Sequence, residues 1–124
     1  MNHQRFVNLN LLKIQYPLTA IISILHRLSG LLLFLLIPYL LWLLDVALSS
    51  ASGFNYIQSV LMNPINKCVI WFFLSAFGYH LLAGIRHLLM DVGFAESLKS
   101  ARLSGIIILT ITVIWIISVG KWLW

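Results

Sequence analysis

Apolar residues run without a charged side chain from Leu28 to Leu44, from Cys68 to Ile85 and from Leu103 to Gly120. A spanning helix needs roughly 20 apolar residues, and polar side chains at its ends can snorkel to water. Each run therefore predicts a transmembrane helix somewhat longer than its uncharged part. Local punctuation sets the ends. Pro17 opens the first helix at an early turn, where its missing N–H costs nothing, and Ser49-Ser-Ala-Ser-Gly53 supplies turn chemistry after it. Asn63-Pro64 has the order of an N-cap followed by proline at the first helical position. The expected helices are about 17–48, 64–91 and 101–122, with Phe54 to Met62 a short amphipathic connector at the membrane surface. Pro38 falls inside the first span, where neighbours must satisfy the carbonyl it frees.

Composition agrees with this reading. The 124 residues are 61% hydrophobic and 9% charged, too apolar for a soluble domain of this length. The fold class is thus an all-α membrane protein, one domain over residues 1–124, with three transmembrane helices. A cleaved signal peptide fits the first span poorly, because the charged leader to Arg27 and the apolar run are both too long. Cys68 is the single cysteine, which rules out an internal disulfide and suggests a small apolar packing residue.

Charge sets the orientation. Arg5, Lys13 and Arg27 precede or open the first span, and Arg86, Lys99 and Arg102 flank the second loop, against Lys67 and Lys121 on the other side. The positive-inside rule then puts the N-terminus and the second loop in the cytoplasm. Trp42, Trp122 and Trp124 fall near span ends on the outer side, as amphipathic indoles prefer. The net charge of +5 serves topology, and no basic stripe interleaved with aromatics points to nucleic acid.

Ionisable groups within or beside a span are functional candidates, because charge in a membrane is costly. His80, Gly84, His87 and Asp91 share one stripe of the second long helix. At a rise of ~1.5 Å per residue, His80 lies about 9 Å inward of Arg86. Zinc or copper would require three or four converging ligands, which this chain does not offer at that depth, whereas a b-type haem needs only two axial ligands. Gly84 would leave room beside the imidazole for a porphyrin or another helix. A hydrogen bond between helices would satisfy His80 equally well. The same rise count sets His26 and His87 near the boundary, away from His80, so a second axial ligand is expected from another chain. Arg86 and Arg27 could pair with haem propionates or simply anchor the topology. On the first helix, Ser23 and Arg27 are four apart with His26 between them, the groups a quinone needs when its carbonyls are reduced and protonated. The same trio also fits ordinary interfacial polarity.

The segments from Pro17 through His26-Arg27-Leu-Ser-Gly30 and from Tyr79-His80 through Gly84-Ile-Arg86-His87 to Asp91, with the leader Arg5-Phe-Val-Asn8-Leu, resemble the larger cytochrome b anchor subunit of bacterial succinate dehydrogenases. The resemblance covers essentially the whole chain; the linker from Ser49 to Asn66 and the third span carry little of it. It implies a bacterial inner-membrane subunit in a four-subunit complex. The partners would be a second membrane anchor completing a heterodimeric helical bundle, an iron–sulfur subunit, and through it a flavoprotein. His80 would be one axial ligand of a haem b shared with a histidine of the second anchor. Gly84 would face the porphyrin, and His87 would support the haem edge. Ser23 and Arg27 would bind ubiquinone, with His26 and Arg86 near the quinone or a haem propionate. The chain would be a quinone-reducing part of an oxidoreductase and not its catalytic core. A quinol:fumarate reductase anchor and an inert anchor without haem remain as other readings. A channel or small transporter would need a continuous polar path, to which the third span offers only Thr110, Thr112 and Ser118.

Overall fold

A computed structural model describes residues 17–95 and 97–124. The leader residues Arg5 to Leu9, together with Lys13, lie outside the described residues. Among the described residues four helices follow one another: α1 Leu18–Ser49, α2 Ala51–Met62, α3 Pro64–Asp91 and α4 Leu98–Leu123. Lipid offers backbone groups no hydrogen-bond partners, so helices that satisfy themselves are the expected solution. α1, α3 and α4 are each long and apolar enough to cross a membrane. The chain is thus an all-α membrane protein with three spanning helices. Many large apolar side chains of α1, among them Leu28, Leu31, Phe34, Leu35 and Leu41, are exposed, as side chains that lipid rather than protein solvates would be. Cys68 is also exposed.

The helix ends follow their caps. α1 starts at Leu18 with Pro17 as N-cap, whose carbonyl accepts from the Ala20 N–H at 2.9 Å. Only Ser50 separates α1 from α2, and its hydroxyl accepts from the Gly53 N–H at 2.9 Å. The polar cluster after α1 is therefore mostly the first turn of a new helix. Asn63 caps α3 through Oδ1, which accepts from the Ile65 N–H at 2.9 Å, with Pro64 in the first turn. α3 ends where Gly93 takes φ 90°, a left-handed conformation that costs glycine little. α4 opens at Leu98 and not near 101, because Ser97 caps it by accepting from the Ser100 N–H at 3.2 Å. The charges of Lys99 and Arg102 mark where the apolar run begins, and the helix starts a turn earlier.

α3 packs along both α1 and α4, and α1 meets α4 over a shorter stretch. With apolar lipid outside, association rests on close packing and interhelical hydrogen bonds. Ile22, Tyr79 and Ala83 form the buried centre, and the Tyr79 hydroxyl donates to the Ile22 carbonyl at 2.8 Å. At the far end Asn66 ties three helices, accepting from Tyr39 of α1 at 3.0 Å and donating to the Val60 carbonyl of α2 at 2.8 Å.

Two tryptophans lock α3 to α4 reciprocally. Trp71 of α3 donates to the Ile116 carbonyl at 3.0 Å, and Trp115 of α4 donates to the Leu74 carbonyl at 2.9 Å. The Trp115 indole lies directly over Gly78, so that a Cβ there would overlap its Nε1. Gly78→Ala is expected to destabilise the bundle by about 1–3 kcal/mol, the usual cost of overpacking, measured by reversible unfolding in detergent. Coupling of this loss to Trp115→Phe in a double-mutant cycle checks the contact, and independent effects of the two changes would refute it.

Candidate functional site

The histidines of α1 and α3 meet in the bundle. The His26 and His80 rings stack with centroids 4.2 Å apart and 18° between planes, and His87 tilts against His26 at 5.2 Å. The rise count that separated His26 from His80 in depth is thus corrected. It took Arg27 as the boundary of the first span, whereas α1 begins at Leu18, more than two turns earlier.

His26 and His80 each sit over a glycine of the opposite helix. A Cβ on Gly30 would lie 3.0 Å from His80 Cε1, and one on Gly84 would lie 3.2 Å from His26 Nε2. The cause is geometric. Helical side chains lean toward their own N-terminus, so His80 leans away from Gly84. The space over Gly84 is filled from α1 by His26, and Gly30 provides the close approach that His80 uses. Gly84 thus faces the His26 ring, and the close approach beside His80 is made at Gly30. Gly30 was not singled out from sequence, although a signal was there: His26 and Gly30, like His80 and Gly84, are four residues apart.

His80 is held at one ring nitrogen. Its Nδ1 lies 3.1 Å from the His26 carbonyl oxygen and 3.0 Å from Ser29 Oγ, and the Ser29 hydroxyl donates to the same carbonyl at 2.8 Å. Ser29 is buried, and nothing in its spacing had marked it. Nε2 has no hydrogen bond among the described residues. Among those residues no three His, Cys, Asp or Glu side chains converge as a metal cage. One imidazole with a free Nε2 suits a metal that takes a single ligand from this chain, as a haem iron does.

Arg86 belongs to another face. The residue is 4% exposed, with Nε donating to Ser104 Oγ at 3.0 Å and an Nη to the Ala101 carbonyl at 2.9 Å. It joins α3 to α4 on the side that also carries Tyr79 and Ala83. Six residues after His80, it is turned roughly 120° from that ring about the helix axis. Ser23 is half-buried, and Arg27, one turn further along α1, is exposed. Asp91 ends α3 and is exposed.

The model of the succinate dehydrogenase/fumarate reductase transmembrane subunit family matches residues 1–119. The chain is 44% identical to the succinate dehydrogenase cytochrome b556 subunit of Coxiella burnetii over 125 aligned residues, covering 100% of both chains. It is 36% identical to the subunit of that name from Rickettsia prowazekii over 71% of this chain and 68% of the relative. The corresponding figures for the Paracoccus denitrificans subunit are 34%, 72% and 68%.

Proposed function

The chain belongs to the succinate dehydrogenase/fumarate reductase transmembrane subunit family, and from that membership we propose that it is the haem b membrane anchor of a succinate dehydrogenase complex. The observation that carries this reading is the His80 site, where Nδ1 is satisfied inside the chain and Nε2 is left to ligate. Haem b, when bound, supplies a one-electron store beside the quinone site. From this chain His80 would hold the haem; the His26 ring lies stacked face to face with it, so the other ligand would be a histidine of a second membrane anchor.

Ser23 and Arg27 form this chain's part of the quinone site. Arg27 is a permanent cation and stabilises negative charge developing on a quinone oxygen, and Ser23 donates a hydrogen bond to a quinone carbonyl. His26, next to Arg27, lies near the quinone or a haem propionate. His87, against His26, supports the haem edge. Electrons arrive from an iron–sulfur subunit that also connects this anchor to the flavoprotein. The chain sits in a bacterial inner membrane with its N-terminus and the α3–α4 loop on the cytoplasmic side. The lysine and arginine distribution supports that orientation.

An optical spectrum of the purified complex before and after dithionite tests the reading. A b-type spectrum on reduction is expected, and a complex that carries all four subunits without haem absorption would leave an inert anchor. The names of the relatives favour succinate oxidation over fumarate reduction as the working direction. Faster succinate-to-quinone than quinol-to-fumarate turnover in the same preparation is the expected outcome.

A further inference from the structure

We infer that Ser29 is a positioning residue for the haem ligand, fixing the tautomer and rotation of His80 so that Nε2 faces the iron. This rests on the proposed ligation of haem by His80. The three short contacts admit one self-consistent arrangement of protons. The His26 carbonyl oxygen accepts only, so at 3.1 Å from it Nδ1 carries the hydrogen. The Ser29 hydroxyl donates to that carbonyl at 2.8 Å, which turns an oxygen lone pair toward Nδ1 at 3.0 Å. The Nδ1 hydrogen is therefore shared between two acceptors of α1. If Ser29 donated to a bare Nδ1 instead, the ring-nitrogen lone pair would face the carbonyl oxygen without a proton between them.

A serine inside a spanning helix often returns its hydroxyl to its own backbone, and Ser29 does so. What sets it apart is that the same oxygen also serves a ring on another helix while the residue is 9% exposed. Metal-bound imidazoles almost always donate their second N–H to a carbonyl, carboxylate or water, which fixes the ring and raises its basicity. Here α1 supplies that partner. Gly30, next in sequence, lets the ring approach closely enough to use it, since a Cβ there would stand 3.0 Å from His80 Cε1. Consecutive residues of α1 thus admit the ring and hold it.

The test compares Ser29→Ala, Ser29→Thr and His80→Ala in the purified four-subunit complex, by haem affinity, redox titration of the haem band and low-spin electron paramagnetic resonance. Losing the serine acceptor weakens the pull on the Nδ1 proton and makes Nε2 a poorer donor to ferric iron. Ser29→Ala is expected to lose about tenfold in haem affinity, the low end of such losses, with a raised midpoint potential and altered g-values. Ser29→Thr keeps the hydroxyl and is expected to restore the parental values, which a purely structural role would not require. If the alanine variant does not assemble, Ser29→Cys takes its place with the same expected direction. Parental affinity, potential and g-values in the variant lacking the hydroxyl would overturn the positioning role, provided that His80→Ala alters them. An unchanged spectrum in His80→Ala would instead overturn the ligand assignment beneath it.

Discussion

Arg27→Ala is expected to slow succinate-to-quinone turnover about a hundredfold, and Ser23→Ala by a comparable factor, while succinate oxidation by a soluble dye survives in both. The magnitude comes from the kind of interaction removed. A preorganised donor or cation aimed at developing negative charge is worth roughly 3 kcal/mol at the transition state, and it contributes little before charge develops. The dye takes electrons ahead of the membrane, so its reduction reads the soluble subunits alone. α1 makes the pairing sterically natural, since Ser23 and Arg27 stand one turn apart with Arg27 exposed. Subunit stoichiometry must be checked beside the rates, so that lost assembly is not read as lost chemistry. Quinone turnover equal to the parent in both variants would remove the two residues from the site and leave Arg27 as a topological anchor.

The same helix shows where sequence reading reaches its limit. The three spanning helices were legible because lipid forces long apolar segments to satisfy their own backbones. Asn63 and Pro64 were legible because capping is a local property. Periodicity also put His80, Gly84, His87 and Asp91 on one stripe of α3. It could not say which helix that stripe would meet. Arg86 looked like a partner for an anionic cofactor, yet it is satisfied by Ser104 and the Ala101 carbonyl of α4. The glycine one turn after each histidine was visible, but its use depends on the register of α1 against α3 and on the N-terminal lean of helical side chains. Those two facts exchange the glycines, placing His26 over Gly84 and His80 over Gly30. Ser29 had no signal of its own, because its work lies in a contact to a residue 51 positions away.

His80→Ala is expected to cost the complex its normal b-type spectrum, and its contrast with His26→Ala decides which helix carries the ligand. Removing even the hydrogen-bond partner of a ligating histidine typically costs about 10–100-fold in metal affinity. Removing the ligand itself should cost at least that, with assembly partly retained if, as proposed, a histidine of a second anchor still holds the porphyrin. The two rings stack 4.2 Å apart, so proximity alone does not separate them. Their hydrogen bonds do. His80 uses its side-chain Nδ1, whereas what His26 contributes to that contact is its main-chain carbonyl, which survives truncation to alanine. His26→Ala is therefore expected to keep the parental b-type spectrum with the His80 ring still held by that carbonyl and Ser29, and His80→Ala is not. Loss of the spectrum in His26→Ala together with its retention in His80→Ala would move the ligand from α3 to α1.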